Sequence, residues 1–211
     1  MGTMTSPKSL EQIAEEARRA WAFTPQPKPE EPTREALEKR EHGCPEVFRG
    51  ASPDVAEWRA RVNVAFGIKD ALKLIREEKE NLFLYGHPGA GKSTLAAMAF
   101  QEKEKEMGSR AKWTSQYDIE AAARWGNLKD GFPSELSVFF RCPLLVIDGL
   151  LSNPYGNTVA HILNKRYDNG RLATWVTSEF AIEELATKYD GGVLRRMYRD
   201  ATVIRLGEVT E

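Results

Sequence analysis

Residues 86–93 read Gly-His-Pro-Gly-Ala-Gly-Lys-Ser, the spacing G-x-x-x-x-G-K-[ST] of a phosphate-binding loop. The glycines let the backbone wrap an anion and turn successive N–H groups toward it. At such a loop Lys92 reaches the β- and γ-phosphates and the Ser93 hydroxyl ligates Mg²⁺, while the following helix aims its positive dipole end at the phosphates. The alternative, a glycine-rich turn with a stray lysine, fits the flanks less well. Residues 81–85, Asn-Leu-Phe-Leu-Tyr, form a short apolar run of strand type, and residues 93–100 favour a helix. A second chemical group lies 55 residues on, where Pro-Leu-Leu-Val-Ile-Asp (143–148) is a buried-strand pattern ending in a carboxylate. An acid at the carboxyl end of a parallel strand points into the crevice where ligands bind. Asp148 is therefore expected to hold Mg²⁺ beside Ser93, the Walker B arrangement; an N-cap aspartate is the structural alternative. Thr177-Ser178-Glu179 closes a further strand pattern, and polar residues there are expected to face the γ-phosphate.

These groups need a scaffold, and the pattern supplies one. Strands are expected at 81–85, 111–114, 144–148, 173–177 and 202–206. Helices are expected from Ser52-Pro53 to residue 66, at 69–79, and near 93–107, 116–124, 157–169, 181–188 and 192–198. Alternation of this kind argues an α/β fold, a parallel sheet covered by helices on both faces.

At 211 residues the chain suits one domain with an appendage. Net charge is −1, with 30 basic against 31 acidic residues, which excludes a global positive field for nucleic acid and leaves only local patches. Candidate DNA contacts are Lys112, Arg124, Lys129, Lys165, Arg166 and Arg171, with Trp113 and Trp125 as stacking candidates; a solvated face and core tryptophans are the alternatives. Cys44 and Cys142 form no disulfide framework and no zinc spacing, and Cys142 reads as an inert core residue. No stretch approaches the roughly 20 apolar residues of a membrane span and no signal peptide is expected, so a cytoplasmic protein without a membrane partner is expected. Residues 1–44 are charged and carry four prolines between positions 23 and 32. They are expected to be a mobile arm, either a partner-docking segment or a solvated tail; residues 45–211 form the core.

The order of motifs resembles the AAA+ ATPases of the DnaC/IstB type, the helicase loaders and transposition helpers, over about residues 45–207. Residues 44–52 (Cys-Pro-Glu-Val-Phe-Arg-Gly-Ala-Ser) are similar to the segment opening that family's ATPase domain. Gly86, His87, Pro88, Gly89, Ala90, Gly91, Lys92, Ser93 and Thr94 match its P-loop, and residues 144–148 match its Walker B strand. Trp113-Thr114-Ser115-Gln116-Tyr117-Asp118 and Ile162-Leu163-Asn164-Lys165-Arg166-Tyr167 are similar to its second strand and a later helix. Trp175-Val176-Thr177-Ser178-Glu179 falls on its sensor 1 strand and Arg195-Arg196-Met197 on its arginine-finger helix. The resemblance implies a P-loop NTPase of AAA+ type, a three-layer α/β/α domain with a five-stranded parallel sheet. It also implies ATP and Mg²⁺ as cofactors, and Arg196 as the finger reaching a neighbouring subunit, with Arg195 and Arg199 behind it. A homo-oligomer in the ATP state, a replicative helicase or transposase/recombinase as partner, and single-stranded DNA complete the expectation.

Three positions depart from the family pattern. The usual acid after the Walker B Asp is replaced by Gly149, the usual sensor 1 Asn by Glu179, and the stretch carrying a sensor 2 arginine is expected to be short or absent. One acid lost and one gained at adjacent strand ends suggests that Glu179 supplies the water-orienting carboxylate, making Lys92, Asp148, Glu179 and Arg196 the catalytic set. The competing readings are a nucleotide-gated interaction module without useful hydrolysis and, third, a P-loop small-molecule kinase.

Overall fold

The computed structural model describes residues 43–77, 81–125, 128–129, 132–151, 158–170, 172–187, 189, 192, 194–195 and 201–207. The arm expected at residues 1–44 therefore falls almost entirely outside the described residues, as do Arg171, Arg196 and Arg199.

Five parallel strands make the sheet: β1 Asn81–Gly86, β2 Ala111–Ser115, β5 Leu144–Leu150, β6 Ala173–Ser178 and β7 Ala201–Leu206, in the order β2-β5-β6-β1-β7. All five lie within a residue or two of the runs read from the sequence. The central strands are apolar on both faces because helices cover both. Side chains alternate accordingly. Leu82, Leu84, Leu144, Val146 and Trp175 enter one core, beneath α2 (Ile68–Glu77) and α3 (Lys92–Met107). Phe83, Leu145, Ile147 and Val176 enter the other, beneath α4 (Gln116–Trp125) and α5 (Thr158–Asp168). Each such fully buried side chain contributes about 2 kcal/mol. The three-layer α/β/α architecture expected from the alternation is thus present. In α3 the unbroken run from Thr94 to Phe100 is buried, as a helix sandwiched on all sides requires.

The segment before the sheet departs from expectation. In place of a helix to residue 66, α1 covers only Ala56–Ala60. The backbone beyond it is used elsewhere: the Asn63 N–H donates to the Ala90 carbonyl at 3.0 Å, and the Asn63 carbonyl accepts the Gly207 N–H at 2.8 Å. Continued helix would have consumed both groups internally. The stretch between α4 and β5, for which no element was expected, holds the short antiparallel pair β3 (Leu128–Lys129) and β4 (Phe132–Pro133), then a 3₁₀ helix over Ser134–Phe140. The helix expected at 181–188 is the single turn α6, Ile182–Leu185, whose leading Ala181 N–H donates to the Glu184 carboxylate at 2.8 Å.

Two candidates for DNA contact are core residues. Trp113 is buried, edge-on to Phe100 with ring centroids 5.4 Å apart. Arg166 is 1% exposed and is held by neutral acceptors. Its guanidinium donates to the carbonyls of Phe139 (2.6 Å), Cys142 (2.9 Å) and Ala173 (2.6 Å) and to the Thr174 hydroxyl (2.8 Å). It ties α5 to the end of the 3₁₀ helix and the start of β6. Lys165 and Arg124 are exposed. Cys142 is buried in contact with Arg166, and burial raises its thiol. Cys44 is buried too, and burial followed by the nearby Glu104 pushes its thiol up to about 11; no cluster of three metal-ligating residues exists among the described residues. Arg166→Met, which keeps the bulk but removes these buried hydrogen bonds, is expected to lower stability by about 3 kcal/mol, read from urea unfolding midpoints.

Candidate functional site

The loop between β1 and α3 is shaped by two left-handed residues, Gly89 (φ +79°) and Gly91 (φ +88°). Alternating backbone handedness of this kind turns successive N–H groups to one side and makes an anion nest. His87, Pro88 and Gly89 are exposed, whereas Gly86 and Ala90 are buried. Gly91 is the N-cap of α3 and brings no side-chain cap to the helix's first amides, which leaves N–H donors at the dipole's positive end. Only glycine fits position 91 on a second count: a Cβ there would overlap the Arg61 carbonyl oxygen and lie 2.6 Å from the Val62 Cα. The segment after α1 thus lies directly against the loop, and its Asn63 links the loop to the end of β7.

Lys92, Ser93 and Thr94 fill the first turn of α3. The Lys92 ammonium donates to the carbonyls of Gly86 and His87, each at 2.8 Å. Burial lowers its affinity for the proton, and the carboxylates of Glu179 and then Asp148 offset that in part. Both acids therefore act on the ammonium that the sequence assigns to the phosphates. The Ser93 hydroxyl donates to Asp148 Oδ1 at 2.7 Å across 55 positions of sequence. A hydroxyl and a carboxylate meeting at a helix N-terminus beside a lysine form an oxygen donor set of the kind Mg²⁺ takes next to a nucleotide's phosphates. Ser93 and Asp148 are the residues that would hold it.

The Walker B end differs from the expectation that the strand stops at Asp148. β5 continues to Leu150 through a bulge: Ile147 pairs with Val176 and Leu150 with Ser178, so Asp148 and Gly149 together face Thr177. Gly149 sits at φ +75°, the left-handed residue a bulge of this type needs. Its N–H donates to the Thr177 hydroxyl oxygen at 2.9 Å, and that hydroxyl donates to Asp148 Oδ1 at 2.6 Å.

Of the three polar residues at the end of β6, two are buried and bonded within the protein. Thr177 is buried on Asp148. Ser178 is buried, donating to the Leu150 carbonyl at 2.6 Å and accepting the Phe180 N–H at 3.1 Å. Glu179 is exposed at the strand end. The Thr177 hydroxyl was visible in the sequence, but its partner depends on the bulge, whose one signal is a glycine directly after the strand acid. Arg195 is exposed next to the buried Leu194, while Arg196 lies outside the described residues.

Gly91→Ala is expected to separate the loop from residues 61–62. Its left-handed backbone alone costs about 1–2 kcal/mol, and the overlap adds to this. Thermal unfolding and ATP affinity should both fall, whereas Gly170→Ala, also left-handed but with open space around it, should lower stability alone.

Comparison with known proteins places this geometry. The family described as IstB-like ATP binding protein matches residues 69–204. Among solved structures, the DnaC helicase loader is similar at 19% identity over 77% of this chain and 100% of that one, with a TM-score of 0.61. DnaI is similar at 20% identity over 78% of this chain and 92% of that one, with a TM-score of 0.53. AMPPCP-bound DnaA from Aquifex aeolicus is 23% identical over 66% of this chain and 44% of that one, with a TM-score of 0.51. At these identities the likeness is one of fold, the P-loop NTPase fold of AAA+ type. No curated protein sequence matches this one. With more than half its length matched, including the phosphate loop, Asp148 and the strand between them, the chain belongs to the IstB-like ATP-binding protein family.

Proposed function

We propose that this ATP-binding protein acts as a helicase loader or transposition helper, assembling on itself when ATP and Mg²⁺ are bound and bringing a partner to DNA. The observation that carries the reading is the meeting of Ser93 with Asp148, with Glu179 exposed at the end of the strand between. The triphosphate lies in the nest of residues 86–94. Lys92 exchanges its bonds to the Gly86 and His87 carbonyls for the β- and γ-phosphate oxygens. Bound Mg²⁺ neutralises charge on those oxygens. Glu179 orients the attacking water, and Arg196 of one subunit stabilises the γ-phosphate charge on its neighbour.

The structures that share the fold include a helicase loader and a DnaA described as bound to AMPPCP and single-stranded DNA, which supports DNA and a replicative helicase as partners, a transposase or recombinase being the alternative partner in this reading. Residues 1–44 are the docking segment in this reading, and 45–211 the ATPase core. Arg124 and Lys165, both exposed, are the basic contacts a ring of subunits would multiply. Family membership favours this over a small-molecule kinase. Gly149, which offers no carboxylate, favours one second reading, a latch that binds ATP without useful turnover.

Turnover and light scattering in the same samples separate the two. With ATP but not ADP the wild type is expected to assemble, and Lys92→Ala to do neither. Glu179→Gln is expected to assemble while turning over at least about 100-fold more slowly, with single-stranded DNA raising the wild-type rate. Assembly with no wild-type turnover would establish the latch, and a monomer that phosphorylates a small molecule would overturn both readings.

A further inference from the structure

The Thr177 hydroxyl is used twice, and both uses are enforced by the fold. Its oxygen accepts the Gly149 N–H at 2.9 Å, and its hydrogen goes to Asp148 Oδ1 at 2.6 Å. A hydroxyl has one proton to give. With the amide on one of its lone pairs, the torsion about the Cβ–O bond is set, and the proton points at the carboxylate. Asp148 Oδ1 takes a second hydroxyl proton from Ser93 at 2.7 Å. The carboxylate is thereby fixed between a residue of the sensor strand and a residue of the phosphate loop. Thr177 itself is 1% exposed, so its hydroxyl is closed to bulk water. The β5 bulge is what delivers the Gly149 N–H to it, since a regular parallel ladder would direct that group to the β6 backbone instead.

We infer that Thr177 is the positioning residue for the cation site, locking the Asp148 carboxylate onto Ser93 so that the pair accepts Mg²⁺ with nucleotide, and that Gly149 is there to supply the amide that locks Thr177. This rests on the reading that Ser93 and Asp148 hold the cation. Partners that orient a ligating carboxylate typically change metal affinity by about 10- to 100-fold when removed. A methyl in place of the hydroxyl also leaves the Gly149 N–H without its acceptor, but that loss is indifferent to whether Mg²⁺ is present.

The test is the affinity of the full chain for a non-hydrolysable ATP analogue, titrated with Mg²⁺ and repeated in EDTA. Thr177→Val is expected to raise the Mg²⁺ concentration at half-effect by about 10-fold or more while leaving the EDTA affinity unchanged. Thr177→Ser, which keeps the hydroxyl, is expected to restore the wild-type Mg²⁺ curve. Should the valine variant fail to fold, judged by circular dichroism, Thr177→Ala against Thr177→Ser makes the same comparison with one hydroxyl between them. Asp148→Asn isolates the underlying reading. If it keeps the wild-type Mg²⁺ response, the cation is held elsewhere and both inferences fall. If Asp148→Asn loses that response but Thr177→Val or Thr177→Ala keeps it, the cation site stands and the role of Thr177 is overturned. An equal loss with and without Mg²⁺ would reduce Thr177 to a structural residue and also overturn the proposal.

Discussion

Ser93 and Asp148 have to meet across a strand that belongs to neither. The phosphate loop follows β1 and the acid stands on β5, and β6 lies between them. Two strand spacings are about 10 Å, more than a serine and an aspartate can cross within the plane of the sheet. Their 2.7 Å contact exists because α3 carries Ser93 over the strand ends, where the β5 bulge holds Asp148. Strand order and the place of Ser93 in the first turn of α3 are both conditions on that one contact. The residue left between the two, at the end of β6, must be short enough to pass beneath and polar enough to bond what it meets. Thr177 meets both demands, and a large apolar side chain would meet neither.

The loop is fixed from the other side by a backbone device. Asn63 donates to Ala90 and accepts from Gly207, so one residue ahead of the sheet ties the phosphate loop to the last strand. This ties the chain ahead of the sheet to the loop's shape, two residues after Arg61, which stacks 4.5 Å over Trp58. Beyond β5 a comparable clamp holds the backbone. Gln116 accepts the Leu151 N–H at 2.7 Å, and the Tyr189 hydroxyl lies 3.2 Å from Gln116 Oε1 and 3.1 Å from the Leu151 carbonyl. The chain leaving the Walker B acid and the chain approaching the arginine-bearing stretch thus share one buried amide.

Much of this was legible in the sequence, for reasons that differ by element. Strands such as Leu144-Leu145-Val146-Ile147 announce themselves because a parallel strand covered on both faces has to be apolar throughout. The phosphate loop is legible because few residue types tolerate φ values of +79° and +88° within three positions. What the sequence hides is where tertiary contacts override local pattern. Residues 61–66 look helical, but Asn63 is claimed by Ala90 and Gly207. Arg166 looks like a surface charge on a helix, but it is buried and donates to the carbonyls of Phe139, Cys142 and Ala173. The bulge is hidden because its only mark is Gly149, and the same glycine reads in sequence as a missing catalytic acid.

Those two readings of Gly149 are one constraint seen twice. A Cβ at this position would meet nothing within 4 Å, so packing does not exclude a side chain. The exclusion comes from φ +75°, which costs a side-chain-bearing residue about 1–2 kcal/mol. That φ is what turns the Gly149 N–H onto Thr177 and so fixes Asp148. A carboxylate at position 149 and a carboxylate lock through Thr177 therefore compete for the same backbone. β6 is under no such constraint, because it stays in register with β1 through Ser178, and the residue following it is free to be acidic. Glu179 stands there, exposed and acting on Lys92. In the proposed reading the acid for water follows β6 while Asp148 keeps its bond to Thr177 from β5, and a glycine at position 149 is what lets that bond stand beside an acid at 179.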